Sequence, residues 1–317
     1  MNKLVLIGLG SIGKKHIYNI KKIYPECTIA VLSPSGKIYE KSDDYISLDS
    51  LQSALEFRPE AAIVASPAPF HAEHIAFFQR NNVPVLSEKP LAASAIELIR
   101  HQVNSDKIAV AYCLRYLPAT KIVKEILDEM LLGDIYNVVA SVGQYLPDWR
   151  KDKDYKSSVS ASSKLGGGAV LELSHEIDLI NYLFGDLEVM SAFLRKDVEL
   201  GLDVEEIADI VLLSNKKIYC TIHLDFIQKV PSRFISIIGR QGRVDWDIIK
   251  NSVLLYNASG KTVLYKDTDF DKNIMYIDML QDFIKLIKCE SNSCVSFQQG
   301  MQVMSVIDAI KSKAIWG

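Results

Sequence analysis

Residues 3–13 of the chain read KLVLIGLGSIG. The apolar run that begins this stretch predicts a parallel strand buried on both faces, and a helical stretch from about 14 to 23 follows the glycines. The order strand, G-x-G-x-x-G, helix is the fingerprint of a dinucleotide-binding turn. Its glycines serve, in order, for a tight turn, for close approach of the backbone to a pyrophosphate, and for close helix–strand packing. Amide groups at the helix start would face the phosphates. The sequence therefore predicts cofactor contacts at Gly8, Gly10, Ser11, Ile12 and Gly13.

Helix and strand signals alternate up to about residue 112, and this order predicts a doubly wound parallel sheet. After Leu117 the sequence changes to runs rich in β-branched and aromatic residues, some of them separated by short turns such as 214–217. Short connections favour antiparallel pairing. We therefore predict an α/β chain with a dinucleotide-binding domain at 1–117. An α+β domain at 118–297 would be built on one large, mostly antiparallel open sheet.

The composition limits the classes of partner. The chain has 317 residues, of which 49% are hydrophobic and 24% charged, with a net charge of -3. No basic stripe indicates a nucleic-acid partner, and no apolar run is long enough to span a membrane. The N-terminus enters a strand almost at once without a signal-peptide layout, which favours a cytoplasmic location. The five scattered cysteines form no CxxC pair, and this favours reduced, buried thiols over a disulfide framework or a metal site.

The predicted second strand ends in the sequence LSPSGK at 32–37. A protein that binds the unphosphorylated cofactor usually carries Asp or Glu at this place, but no acidic residue occurs from Cys27 to Tyr39. Serine hydroxyls and a lysine could instead accept a 2′-phosphate, with no carboxylate to repel it. The sequence therefore favours NADP(H) over NAD(H), with Ser33, Ser35 and Lys37 as contacts, although the loop lacks the arginine often found there.

Two further loops follow strands of the predicted sheet, whose carboxyl ends are where ligands bind. Ser66 and Pro67 end one strand and His71 opens the next helix, so we expect this loop to border the nicotinamide half of the cofactor. His71 and His74 are three residues apart, but the sequence around them lacks the further ligands that a metal site needs. The favoured interpretation of His71 is a histidine at the start of a helix, at the domain interface. Glu88 and Lys89 follow another apolar run just before a proline. This placement makes Lys89 a candidate for chemistry on whatever faces the cofactor.

A second chemically dense segment begins with three glycines at 166–168, which let the backbone pass close to a ligand. A predicted helix then carries Glu172, His175 and Asp178 at intervals of three residues, so both acids are i,i+3 neighbours of the histidine. A carboxylate beside a histidine fixes its tautomer and favours its protonated form, which suits a general acid or base near neutral pH. The alternative is a solvated helix face with a charge pair.

Taken together, these motifs resemble the glucose–fructose oxidoreductase, inositol dehydrogenase and MocA family over nearly the whole chain. The resemblance rests on the glycine-rich turn, Ser66-Pro67 with His71, Glu88-Lys89-Pro90, and the triple-glycine helix. It implies an N-terminal Rossmann domain and a C-terminal domain whose open sheet often carries the oligomer interface. A final helix at 298–315 would pack back on the Rossmann domain. The resemblance also implies hydride transfer between a nicotinamide cofactor and a sugar or cyclitol carbon.

In this family the lysine of the Glu-Lys-Pro motif and the histidine after the triple glycine are the usual catalytic pair, which implies catalytic roles for Lys89 and His175. Many members place an aspartate four residues before that histidine, whereas this chain has Glu172 three residues before it. Asp178 keeps the family spacing after the histidine. Because no metal site is apparent, we expect His175 to exchange the hydroxyl proton and Lys89 to stabilise charge on the reacting oxygen. Either residue could be the immediate proton donor.

The stretch at 145–155 resembles a branch of this family met in bacterial surface-polysaccharide and sialic-acid-like sugar pathways. Arg150 could pair with a carboxylate or phosphate, and Trp149 or Tyr155 could stack on a sugar face; a solvated charged loop is the alternative. Arg115 could bind substrate or only brace the interdomain corner. The predicted partners are a carbohydrate substrate and further copies of the chain, as a homodimer or homotetramer. An NAD-dependent glycoside hydrolase and a catalytically silent sugar sensor are the alternatives on this scaffold.

Overall fold

The structure, a computed structural model, describes residues 1–151 and 154–317. The described residues form two compact units. The first comprises Met1–Cys113 and Asn273–Met304, and the second comprises Leu114–Lys272 and Ser305–Gly317. None of the helices in the described ranges combines the length and apolar character that a membrane crossing requires.

The strands, in chain order, are β1 (Lys3–Ile7), β2 (Thr28–Leu32), β3 (Ile46–Leu48), β4 (Ala61–Val64), β5 (Val85–Ser87), β6 (Ile108–Val110), β7 (Ile135–Gly143), β8 (Leu187–Lys196), β9 (Glu205–Ser214), β10 (Tyr219–Asp225), β11 (Ser232–Gly239), β12 (Gly242–Asp247), β13 (Ser252–Asn257), β14 (Gly260–Lys266), β15 (Val295–Ser296) and β16 (Ala314–Trp316). The α-helices are α1 (Ser11–Ile23), α2 (Leu51–Glu56), α3 (His71–Arg80), α4 (Ala95–Arg100), α5 (Pro118–Asp128), α6 (Ala169–Glu172), α7 (His175–Phe184), α8 (Ile274–Ile287) and α9 (Phe297–Lys313).

The first unit is built on a seven-stranded sheet in the order β15-β6-β5-β4-β1-β2-β3. Strands β1 to β6 are parallel, and β15 lies antiparallel beside β6. The parallel strands follow the order 3-2-1-4-5-6 of a doubly wound dinucleotide-binding sheet, which confirms the predicted fold of this half. Since the strand order reverses between β1 and β4, the loops after these two strands flank the crevice in which such sheets bind ligands.

The second unit carries a nine-stranded sheet in the order β14-β13-β12-β11-β7-β10-β9-β8-β16. Its pairs are antiparallel except β7 with β10 and β8 with β16. Ile210, Ile222 and Ile235 are buried on one face, where α7 packs against β7 and β10. Alternate side chains point to the other face, and Phe193 and Phe234 on it are 46% and 38% exposed. The predicted large, mostly antiparallel open sheet is confirmed.

The two units differ from the boundaries expected from the sequence. Helix α8 belongs to the first unit, and α9 contributes its residues up to Met304 to the first unit and the remainder to the second. Helix α8 packs against α1, where the Lys15 ammonium lies 4.3 Å from the ring centre of Tyr276. The Asn19 and Asn273 side chains exchange hydrogen bonds at 3.1 and 2.7 Å. The expected boundaries lie where the residue pattern of the sequence changes. This pattern does not show that the chain returns to the first unit after β14.

Candidate functional site

The glycine-rich turn connects β1 to α1 in a shape that excludes side chains at two of its three glycines. Gly8 has φ +96°, and a Cβ on it would collide with the backbone of Ala65 and Ser66. A Cβ on Gly13 would collide with the Gly8 carbonyl oxygen. Gly10 differs, because no atom lies within 4 Å of the position that its Cβ would take. A tight turn, close helix packing and an open approach to the backbone are therefore combined here.

The start of α1 is suited to an anion. Gly10 is the N-cap residue and supplies no side-chain cap, and no acidic residue occurs in the first turn, which begins at Ser11 and Ile12. Helix N-termini attract negative charge through their amide groups and the helix dipole. The residues of this turn therefore fit the pyrophosphate of a dinucleotide.

The loop after β2 contains the three residues predicted to select the cofactor. Ser33 is buried, and its hydroxyl lies 3.0 Å from that of Ser35 and accepts a hydrogen bond from the Ser35 amide at 3.3 Å. Ser35 and Lys37 are exposed. The sequence analysis missed Tyr39, whose hydroxyl accepts a hydrogen bond from the amide of Leu9 at 3.3 Å. The Tyr39 side chain therefore links the segment after β2 to the glycine-rich turn. The sequence alone does not indicate this contact, because the two residues are 30 positions apart.

His71 begins α3 and is buried against two loops. Its Nε2 lies 2.6 Å from the Ser66 carbonyl oxygen and its Nδ1 lies 2.9 Å from the Pro90 carbonyl oxygen. Burial lowers the pKa of His71, while the two carbonyl groups raise it. A neutral imidazole has one N–H and donates to one carbonyl at a time. His71, a predicted cofactor residue, thus directs Nε2 to the backbone that follows β4, at Ser66-Pro67, and Nδ1 to the backbone that follows β5.

Glu88 and Lys89 come directly after β5. The Glu88 carboxylate accepts a hydrogen bond from Nε2 of His16 at 2.8 Å and one from the amide of Lys89 at 3.3 Å. His16 lies on α1, three residues beyond Gly13, and is fully buried. The sequence analysis did not single out His16. Its place on the buried face of the cofactor-binding helix is the signal that could have identified it.

In the second unit, the predicted single helix after the triple glycine is two helices. Helix α6 ends at Glu172 and α7 begins at His175, with Ser174 in the N-cap position but without a side-chain cap hydrogen bond. The break means that residues three apart no longer share one continuous helical face. The Glu172 carboxylate accepts a hydrogen bond from the hydroxyl of Ser160 at 3.1 Å.

Asp178, predicted to flank the histidine, is engaged with Arg115. Its two oxygens accept hydrogen bonds from Nε of Arg115 at 3.0 Å and from Nη2 at 2.7 Å. The guanidinium also lies 4.6 Å from the ring centre of Tyr182. Burial raises the pKa of Asp178 to about 6, against the lowering effect of Arg115. Arg115 and Asp178 both belong to the second unit, so this ion pair is internal to it.

Gly168 lies directly before α6 and packs against the buried carboxylate of Glu205. It has φ +106°, and a Cβ on it would lie 2.5 Å from Oε1 of Glu205. The same oxygen accepts a hydrogen bond from the amide of Val170 at 3.1 Å, so the Glu205 side chain caps the start of α6. Burial raises the pKa of Glu205, and Lys311 and the hydrogen bonds lower it. The sequence analysis missed Glu205, because nothing in its neighbourhood along the chain indicates this contact.

Three of the four predicted substrate contacts, Trp149, Arg150 and Tyr155, follow β7 in the second unit. Trp149 ends a short 3-10 turn, and its ring lies 5.4 Å from that of Phe226 in an edge-to-face arrangement. Arg150 is exposed. The Tyr155 hydroxyl donates a hydrogen bond to the Leu200 carbonyl oxygen at 3.3 Å.

Two models of one protein family match the chain. The model described as an oxidoreductase family with an NAD-binding Rossmann fold matches residues 2–112. The model described as the GFO/IDH/MocA C-terminal domain matches residues 120–245. The chain belongs to the GFO/IDH/MocA family. The family predicted from the motifs is confirmed.

Curated relatives in this family are distant. A glucose-6-phosphate 3-dehydrogenase of Bacillus subtilis is 24% identical over 238 residues, which cover 69% of this chain and 64% of the relative. An inositol 2-dehydrogenase of Rubrobacter xylanophilus is 29% identical over 130 residues, 38% of each chain. An uncharacterised protein of Schizosaccharomyces pombe is 27% identical over 202 residues, 60% of this chain and 48% of the relative. The chain thus matches less than two thirds of the length of each.

Solved structures share the fold at low identity. A levoglucosan dehydrogenase in complex with NADH and levoglucosan has a TM-score of 0.84 and 20% identity, covering 98% of this chain and 96% of that one. The WlbA dehydrogenase from Bordetella pertussis in complex with NADH and UDP-GlcNAcA has a TM-score of 0.78 and 17% identity, covering 98% and 95%. Both likenesses extend over the two units of the fold.

Proposed function

We propose that this chain is a nicotinamide-dependent oxidoreductase. It transfers a hydride between NAD(P) and a hydroxyl or keto carbon of a sugar, sugar acid or nucleotide sugar. The observation that carries the proposal is the glycine-rich turn at the strand-order reversal of a 3-2-1-4-5-6 sheet, together with Lys89 at the end of β5. Ligands of such sheets bind at the carboxyl ends of the strands. Family membership and the sugar and cyclitol dehydrogenases among its relatives support this class of reaction.

The cofactor is held mainly by backbone. Gly10 leaves its amide and Cα open to a pyrophosphate, and the amides of Ser11 and Ile12 at the start of α1 receive the phosphate charge. The bound nicotinamide supplies the carbon that accepts or donates the hydride. Ser66, Pro67 and Glu88, in the loops after β4 and β5, line the nicotinamide half.

The loop after β2 favours NADPH over NADH. Ser35 and Lys37 are exposed there, and no carboxylate occurs from Cys27 to Tyr39 to repel a 2′-phosphate. A lysine cation and a hydroxyl donor can both stabilise a phosphate. Ser33 contributes by holding Ser35 in the turn.

The chemistry needs a group that moves the hydroxyl proton and a group that stabilises the developing alkoxide. His175, the first residue of α7, takes the proton in oxidation and returns it in reduction. Lys89, as a cation, hydrogen-bonds the reacting oxygen and stabilises its negative charge. Asp178 acts through Arg115 by fixing α7, and Glu172 acts by anchoring the end of α6 to Ser160.

The substrate carries negative charge. Arg150 is exposed at the end of a 3-10 turn, and a guanidinium is the side chain best suited to a carboxylate or phosphate. Trp149 and Tyr155 supply aromatic faces for a sugar ring. We infer an acidic or nucleotide-linked sugar of the kind used in bacterial surface-carbohydrate biosynthesis.

The outer face of the large sheet carries a homo-oligomer contact. It exposes apolar side chains, including Phe193, Tyr219, Phe234 and Ile238, which are between 38% and 53% exposed. A large exposed apolar surface marks an interaction site, and association of two identical faces is self-complementary. Phe234→Arg should shift the molar mass measured by light scattering from a dimer or tetramer to a smaller species. An unchanged mass would contradict this assignment.

The enzymatic proposal is tested by binding and turnover. NADPH and NADH are titrated by fluorescence, and substrate oxidation or reduction is followed at 340 nm with acidic and nucleotide-linked sugars. Lys89→Ala and His175→Ala should each lower kcat by about 10²–10⁴-fold while the cofactor still binds. Lys216→Ala removes an exposed lysine from the turn between β9 and β10 and controls for the loss of a surface lysine as such. Wild-type turnover in Lys89→Ala or His175→Ala would refute the catalytic assignment, and clearly tighter binding of NADH would refute the preference for NADPH.

The same assay separates the two other functions. A glycoside hydrolase with a tightly held NAD would cleave a glycosidic bond without net change in absorbance at 340 nm. A sugar sensor would bind cofactor and sugar without turnover. Either result would replace the oxidoreductase proposal.

A further inference from the structure

Two buried histidines hold the backbone on either side of Lys89. His16 donates to the Glu88 carboxylate at 2.8 Å, and Nδ1 of His71 lies 2.9 Å from the Pro90 carbonyl oxygen. Glu88 precedes the lysine and Pro90 follows it. Both histidines belong to the first unit, so these contacts are internal to the dinucleotide-binding sheet and its helices.

On the N-terminal side, Glu88 is fixed at three points. Its amide donates to the Val64 carbonyl oxygen at 2.8 Å, one carboxylate oxygen accepts from His16, and the other accepts from the Lys89 amide at 3.3 Å. The His16 and Glu88 side chains are 1% and 11% exposed, so solvent does not compete for this pair. His16 thereby ties the helix that follows the glycine-rich turn to the backbone of the lysine.

On the C-terminal side, His71 spans two loops. Its other nitrogen lies 2.6 Å from the Ser66 carbonyl oxygen, and the ring is 1% exposed. The buried ring therefore lies between the loop after β4 and the loop after β5, and its N–H donates to one of the two carbonyl groups at a time. Together the two histidines connect the residues beside Lys89 to α1, which follows the glycine-rich turn, and to the loop after β4.

We propose that His16 and His71 are positioning residues that set the backbone of Lys89, an inference that rests on the catalytic role proposed for this lysine. A lysine side chain has four rotatable bonds, so its ammonium is placed only as accurately as its backbone is fixed. Catalytic groups must be held within about 0.5 Å of the productive geometry, and a misplacement of 1 Å can cost about 10²-fold in rate. Neither histidine needs to contact the substrate for this effect.

The first measurement uses the protein without cofactor or substrate. Hydrogen exchange of the Glu88 and Lys89 amides is compared between the wild type, His16→Ala and His71→Ala, and both variants should exchange faster. Asn19→Ala is the matched control, because Asn19 is a buried residue on the same helix that exchanges hydrogen bonds with Asn273. It should lower Tm without changing exchange at 88 and 89. Unchanged exchange in both histidine variants, or an equal increase in Asn19→Ala, would overturn the proposal.

The second measurement is kinetic. His16→Ala and His71→Ala should lower kcat by about 10–10²-fold with a much smaller change in KM. His16→Gln, which keeps an N–H donor near the position of Nε2, should recover most of kcat and also serves if the alanine variant fails to fold. Wild-type kcat in both alanine variants, with Lys89→Ala inactive, would overturn the positioning role alone. Wild-type kcat in Lys89→Ala would instead overturn the proposed catalytic function, while the exchange result would still stand.

Discussion

Asp178 accepts two hydrogen bonds from the guanidinium of Arg115, 63 positions earlier in the chain, and both side chains are buried. Removing one partner of a buried ion pair leaves an uncompensated charge, at a cost of about 3–5 kcal/mol. We therefore expect Arg115→Met and Asp178→Leu each to lower the free energy of unfolding by about this amount. The double variant, which removes both charges and retains apolar volume, should cost much less. Urea denaturation of the three variants measures the coupling between the two residues.

An exposed ion pair on a neighbouring helix provides the control. Lys124 and Asp128 lie one turn apart on α5, with side chains 35% and 61% exposed. Surface pairs of this kind contribute about 0.3–0.5 kcal/mol, so Lys124→Met should have a small effect. If Arg115→Met were equally mild, the pair of Arg115 and Asp178 would not be what fixes α7.

Two substitutions in the glycine-rich turn should separate an effect on cofactor binding from an effect on stability. At Gly10, φ is -72° and no atom lies within 4 Å of a Cβ position, so Gly10→Ala should leave Tm almost unchanged. The added methyl would occupy the approach to the pyrophosphate and should weaken NADPH binding by about tenfold or more, equivalent to about 1.4 kcal/mol. Gly13→Ala would instead meet the Gly8 carbonyl oxygen and should cost about 1–3 kcal/mol of stability. Thermal unfolding and fluorescence titration of both variants test this contrast; unimpaired binding in Gly10→Ala would argue against a cofactor at this turn.

Acid should destabilise the first unit through His74. Its Nδ1 lies 3.0 Å from the Ser66 hydroxyl, and burial lowers its pKa from 6.5 to about 4. Between these values the unfolded chain binds a proton that the folded chain does not, so stability falls as the pH falls through this window. At 1.36 kcal/mol per pKa unit, this one group lowers the free energy of unfolding by about 2 kcal/mol at pH 5 relative to pH 8. Urea denaturation at both pH values should show a smaller acid loss in His74→Gln; an equal loss would contradict the role of His74.

The features that the sequence predicted depend on local requirements of the chain. The run of buried apolar residues at 4–7 and the glycines after it identify the turn, because a tight turn and close packing exclude other residues there. The position of Lys89 directly after a strand could be predicted for a similar reason, since the apolar run before it indicates a strand and ligands of such sheets bind at the carboxyl ends of strands. These features need no knowledge of distant contacts.

The features that the sequence missed depend on partners set by topology. His16 and Glu88 are 72 positions apart, and only the fold brings α1 and the residue that follows β5 together. The spacing of Glu172, His175 and Asp178 also did not indicate the helix break before His175, or that the two acids accept hydrogen bonds from Ser160 and Arg115. Spacing alone cannot indicate that a distant arginine competes for a carboxylate.

The contact between Gly168 and Glu205 can be isolated with a second glycine of similar φ. Gly168 has φ +106° and its Cβ would meet the Glu205 carboxylate, whereas Gly260 has φ +116° and no atom within 4 Å of a Cβ. Gly260→Ala should cost about 1–2 kcal/mol from backbone strain. Gly168→Ala should cost about 1–3 kcal/mol more, because it also displaces a buried carboxylate. Since Glu205→Ala removes the opposing group, the Gly168→Ala, Glu205→Ala double variant should be more stable than the sum of the single effects predicts. Urea denaturation gives all four free energies, and strict additivity would show that Glu205 does not oppose a side chain at residue 168.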